Sequence, residues 1–144
     1  MATDSTDTKT PPPQVWPTLA AADAPALMAF LREVMGFVEV VAYTDDAGVV
    51  HHAELAWPAG GGIMMGQRRP DNEGRVTGPG SFSAYVVLPA AADVDALAAR
   101  VRADGRGELV AEPFDTDYGS HDTSVRDPEG NTWHVGTYPG APRP

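Results

Sequence analysis

The chain has 144 residues, a formal net charge of −10, 42% apolar residues and no cysteine. That length holds one domain, or two small modules sharing a core. The acidic balance argues against a nucleic-acid partner, whose phosphates demand basic surface, and the missing thiols exclude disulfides, thiolate catalysis and thiolate metal ligands. No apolar run approaches the roughly 18 residues that cross a bilayer, and Met1–Thr10 has neither the basic start nor the apolar stretch of a secretory signal. The expectation is therefore a cytoplasmic protein with no membrane and no nucleic-acid partner.

In chain order, residues 1–14 are polar and end in Pro11-Pro12-Pro13-Gln14, which reads as a flexible tail. Val15–Ala20 is a short strand candidate. Asp23 caps a helix with Pro25 inside its first turn, where a missing N–H does no harm. Leu27, Phe30, Leu31, Val34 and Met35 make one apolar stripe at helical spacing, and Gly36 ends the helix. Strands follow at Val38–Tyr43, Val49–Trp57 and Ile63–Gly66, separated by the turns Asp45–Gly48 and Pro58–Gly62. Gln67–Gly80 reads as a linker. The pattern then repeats: a strand at Phe82–Leu88, a helix capped by Asp93 and closed by Gly105, a strand at Glu108–Glu112 and a final hairpin.

That hairpin is the most informative segment. Asp127-Pro128-Glu129-Gly130 is a tight-turn sequence between two stretches of alternating polarity. Alternation places Thr132, His134, Gly136 and Tyr138 on one face and Trp133, Val135 and Thr137 on the other, so one face packs while the other carries an imidazole and a phenol. Trp133 is expected in the core, and Arg126 and Asp127 are expected to fix the turn. Alternation also sets His52 and Glu54 on one face, opposite Leu55 and Trp57. They are donors and acceptors lining a cleft, or with His134 a His-Glu-His metal set, or a cross-strand hydrogen-bonded pair satisfying buried polar groups. His51 and His121 are expected at the surface. Residues 139–144 form neither strand nor helix, and Gly60-Gly61-Gly62 reads as a hairpin turn without the context of a phosphate loop.

Both halves thus read strand, helix, strand, strand, strand, an α+β arrangement of paired βαβββ modules (15–66 and 82–138) that can close around a shared cleft. That order, the helix Asp23–Phe37 and the hairpin Arg126–Trp133, together with His52-Ala-Glu-Leu55, resemble the vicinal oxygen chelate superfamily of glyoxalase I, bleomycin-resistance proteins and extradiol dioxygenases. The resemblance covers residues 15 to 138. It implies a U-shaped mixed sheet with helices outside, completed in a homodimer, and in the metalloenzymes a metal held from four strand positions facing the cleft. Carried over by pattern, those positions are Trp16, Glu54, Ser83 and His134. Two keep a ligand-capable side chain, whereas a stable site wants three or more protein ligands.

The expectation that follows is a small-molecule-binding protein similar to the bleomycin-resistance proteins. It would hold an organic ligand in a cleft lined by Trp16, His52, Glu54, Ser83, Tyr85, His134 and Tyr138, with no cofactor. The alternative is a metal-dependent lyase, isomerase or dioxygenase-like enzyme with a divalent ion on Glu54 and His134.

Overall fold

The computed structural model describes residues 13–144, so nearly all of the tail expected over 1–14 lies outside the described residues. The first module contains β1 (Thr18–Ala21), α1 (Ala24–Phe30, continuing as a π turn over Leu31–Met35), β2 (Val38–Thr44), β3 (Val50–Ala56) and β4 (Gly62–Gln67). The second contains β5 (Ser83–Val87), α2 (Ala91–Asp104), β6 (Glu108–Asp115), β7 (His121–Arg126) and β8 (Thr132–Gly136). Between them, Pro70–Asn72 makes a single 3-10 turn.

The mixed sheet is in two four-stranded halves, ordered β1-β4-β3-β2 and β5-β8-β7-β6. In each, the first strand runs parallel to the last and the remaining pairs are antiparallel. The duplication holds residue by residue. Across the first sheet Thr18, Met64, Glu54 and Val41 stand opposite one another in turn. Across the second, the same row is Tyr85, His134, Ser124 and Ala111. Both outer strands carry a register shift at the same place, leaving Val40 and Val110 as the extra residues.

One face of each sheet packs into a common core. Leu55, Val125, Trp133 and Val135 are fully buried there with Leu27, Phe30 and Leu31 of the first helix and Leu97 of the second. Phe37 joins the halves, packing edge-on against Trp57 at 4.9 Å and Trp133 at 5.4 Å between ring centroids. Two hairpins clasp the opposite module. The indole N–H of Trp57 donates to the Val87 carbonyl at 2.7 Å. The Glu129 carboxylate accepts from the amides of Ala22 and Asp23 at 2.8 and 3.0 Å, at the start of α1, where a carboxylate meets unpaired N–H groups and the positive helix end.

Local chemistry explains the boundaries. Asp23 accepts from the Ala26 amide at 3.1 Å, and Gly36 and Gly105 end their helices at φ of 100° and 82°. Three expectations need correction. The first strand begins at Thr18 instead of Val15, because Pro17 brings no N–H to a ladder. The second helix begins at Ala91, and Asp93 sits inside its first turn, reaching back to accept from the Ala90 amide at 3.1 Å. The last module's outer strand runs on to Asp115. No helix among the described residues is long and apolar enough to cross a membrane.

Candidate functional site

The candidate residues lie on the sheet faces that turn away from the common core. On the first sheet, His52 Nε2 and Glu54 Oε2 are 2.9 Å apart, both half-buried. Tyr43, opposite His52 on β2, stacks on its ring at 6.1 Å between centroids. Trp16 precedes β1; its indole N–H donates to the Pro13 carbonyl at 3.2 Å, and its ring covers the Cα of Gly62. His52 and Glu54 thus pair along one strand, between alternate residues, where a cross-strand pair was expected.

On the second sheet His134 is exposed, and its Nδ1 lies 3.0 Å from the hydroxyl of Ser124 on β7. Tyr85 stands directly across from His134 on β5, and Ser83 stands across from Thr132. The Tyr85 hydroxyl accepts from the Tyr138 amide at 3.1 Å, and the buried Ser120 hydroxyl accepts from that amide at 3.0 Å. Ser120 in turn donates to Asp122. A Cβ on Gly136 would run into both the Asp122 carboxylate and the Tyr85 hydroxyl, so the glycine makes room for this polar group. Burial of the Tyr85 phenol pushes its pKa up. The Tyr138 ring leaves the sheet and packs edge-on against Tyr118 at 5.7 Å.

The structure thus gathers Tyr85, His134 and Tyr138 on one sheet, with Ser83 at its edge, and His52 and Glu54 with Trp16 on the other. Ser124, Asp122, Ser120 and Tyr43 escaped the sequence reading. Alternation along His121–Arg126, read through the hairpin turn, places Asp122 and Ser124 beside His134, so the signal for two of them was present. Tyr43 needs the β2–β3 register, which a bulge offsets.

His121, expected at the surface, is a clamp: its Nε2 meets Asp95 of α2 and its Nδ1 meets Asp115 of β6, each at 2.7 Å. Arg126 pairs loosely with Glu108 at 3.5 Å. Asp127 does fix the turn. Buried, it accepts from the Trp133 indole at 2.8 Å and from the amides of Glu129 and Asn131 at 2.9 and 3.0 Å.

The profile of the Glyoxalase/Bleomycin resistance protein/Dioxygenase superfamily matches residues 14–135, and the chain belongs to that superfamily. Among solved structures it is similar to TioX from Micromonospora sp. ML1, at 26% identity over 83% of this chain and 94% of that one, with a TM-score of 0.68. A glyoxalase-related enzyme from Fulvimarina pelagi matches at 23% identity, 91% and 92% coverage and a TM-score of 0.68. An integron cassette protein from the mobile metagenome of V. cholerae matches at 20% identity, 90% and 99% coverage and a TM-score of 0.62. No curated protein matches.

The superfamily implies a divalent metal, and the residues of one chain do not fit it. Among the described residues no three His, Asp or Glu side chains converge as ligands. Glu54 is engaged by His52 in one sheet and His134 by Ser124 in the other. The register also makes these two non-equivalent: the counterpart of His134 is Met64, and the counterpart of Glu54 is Ser124. A single chain falls short of the three or more protein ligands a stable site wants.

Proposed function

We propose that this protein binds a small, flat organic molecule between the open sheet faces of two copies, by contact and without covalent chemistry. The observation that carries the reading is where the chain leaves apolar and aromatic side chains in water. Val38, Val40 and Tyr43 on the outer strand β2 and Val110 and Phe114 on the outer strand β6 are exposed, as are Tyr85, Tyr118, Tyr138 and Val15, while the helices among the described residues expose no large apolar side chain. Exposed apolar side chains on the outer strand of each sheet offer contact surface. The polar candidates stand beside it, in two sets that one chain keeps on separate sheets.

A homodimer that sets the His52–Glu54 face of one copy against the Tyr85–His134 face of its partner would enclose a cleft with aromatic walls. Rings there supply buried area, while the imidazoles, the Glu54 carboxylate and the Ser124 hydroxyl orient the ligand. The net charge of −10 favours a cationic or neutral ligand at long range. Sequestration or carriage would then be the function.

The test joins sedimentation with thermal-shift screening against aromatic compounds and metal analysis of protein purified without chelators. A dimer, together with a saturable shift removed by His134→Ala and by Glu54→Ala, supports the reading. A chain that stays monomeric at high concentration and shifts with nothing defeats it. A stoichiometric ion lost in both variants would favour the metal-dependent enzyme instead.

A further inference from the structure

Where the modules meet, beside the edge of β5, lies a partly open cavity of about 950 Å³. Small-molecule sites run to about 300–1,000 Å³. Its buried wall includes Phe37, Trp57, Ile63 and Val86, the exposed turn at Ala59–Gly62 and the described ends of the chain border its mouth, and of the candidate residues Tyr85 alone lines it. We infer that this cavity is a second ligand site, for an uncharged aromatic molecule bearing a carbonyl or similar hydrogen-bond acceptor.

Two independent observations select that class. The buried wall is apolar and aromatic, and the one charged side chain that lines the cavity, Arg143, is solvent-exposed, so an ion buried against that wall would lack compensation. The second is the edge of β5. That strand has a single neighbour, β8. The Leu88 amide donates to Gly136, and the Phe82 carbonyl accepts from Thr132, so residues of even number bond across to β8. By alternation Tyr85 and Val87 turn their backbone groups the other way. The Val87 carbonyl is already engaged by the Trp57 indole, which also braces the two walls. The amides of Tyr85 and Val87, both cavity-lining residues, remain as donors, and donors call for an acceptor on the ligand.

Nile red, a neutral planar aromatic ketone whose emission rises in apolar surroundings, is the probe for the full chain. Anilinonaphthalene sulfonate, an anionic aromatic dye, is the comparator. Measured in the His134→Ala background, which disables the site proposed between copies, the expected result is saturable Nile red binding at one site per chain, at least about tenfold tighter than the anionic dye. Ala84→Phe, which fills the cavity, and Ala59→Trp, which obstructs its mouth from an exposed turn, should each weaken Nile red binding at least about tenfold. Because the site between copies is disabled in that background, the binding that remains and is lost in the blocking variants belongs to this cavity. Circular dichroism and unfolding midpoints verify that both variants fold, with Ala59→Trp carrying the test if Ala84→Phe does not. Absence of saturable Nile red binding, binding indifferent to the folded blocking variants, or tighter binding of the sulfonate dye would each overturn the inference.

Discussion

The two modules share a backbone and differ in what they do with it. Positions seventy residues apart correspond from β2 and β6 onward: Asp45 with Asp115, His51 with His121, Gly66 with Gly136. At the corner after the third strand, however, the first module places Trp57 and the second places Asp127. The first corner is held by buried aromatic surface and one indole hydrogen bond to the other module. The second is held by a buried carboxylate that satisfies donors within its own turn. Burial pushes the Asp127 pKa up, against the pull of the Trp133 indole and the Asn131 amide. A duplicated fold can therefore keep its path while one copy stabilises a turn by packing and the other by a polar knot. The open faces diverge in the same way, with Met64 and Glu54 facing water where the second module has His134 and Ser124.

The sharpest way to break that comparison is to remove the knot. Asp127→Ala strands the Trp133 indole and two backbone amides in the interior, and should cost at least about 3 kcal/mol in urea unfolding. Trp57→Phe keeps most of the apolar surface and loses one hydrogen bond, so about 1–2 kcal/mol is expected. Equal losses would mean that the two corners are stabilised alike.

Next come the paired glycines of β4 and β8. A Cβ on Gly66 would meet the His51 carbonyl oxygen at 2.8 Å, which is backbone and cannot swing aside. On Gly136 the obstacles are the ends of the Asp122 and Tyr85 side chains, which can. Gly66→Ala should therefore cost about 1–3 kcal/mol and Gly136→Ala less, although the latter should release Tyr85 from the Tyr138 amide. Calorimetry ranks the two, and a larger loss for Gly136→Ala would show that the polar group over β8 is rigid.

Glu129→Ala tests the clasp between modules. It leaves the amides of Ala22 and Asp23 to water and should cost about 1 kcal/mol, the usual worth of a helix-start acceptor. Hydrogen exchange should then quicken first in residues 22–26, and unaltered protection there would deny the clasp any role.

How much of this was legible in the sequence follows from the range of the physics involved. Helix ends and turns depend on neighbours: Asp23, Gly36, Gly105 and Asp127-Pro128-Glu129-Gly130 announced themselves. Face assignments follow from alternation, so Trp133, Leu55, His52 and Glu54 fell on the expected sides. What alternation cannot supply is which strand lies beside which, and how bulges offset them. Glu54 and His134 matched a family pattern, yet the register sets them on non-equivalent strands. Long-range partners were invisible for the same reason, since Glu129 meets Ala22 only once the modules are packed and Asp95 meets His121 only once α2 lies on its own sheet.

The smallest expected effect concerns that last contact, and it separates the modules by charge alone. In the first, His51 meets Asp45 at 2.7 Å. In the second, His121 meets Asp115 and also Asp95 of α2. The hydrogen bond to Asp95, then that to Asp115, raises the His121 pKa. Because the folded value exceeds the unfolded one of about 6.5, the stabilisation is complete below about pH 6.5 and is lost as pH rises through the folded value. Asp95→Asn should lower the His121 midpoint in an NMR titration. It should also destabilise the protein slightly in acid, with the difference from wild type fading as pH rises. A midpoint that does not move would mean that the helix carboxylate stays in solvent, and that the second module's clamp is no stronger than the first module's single pair.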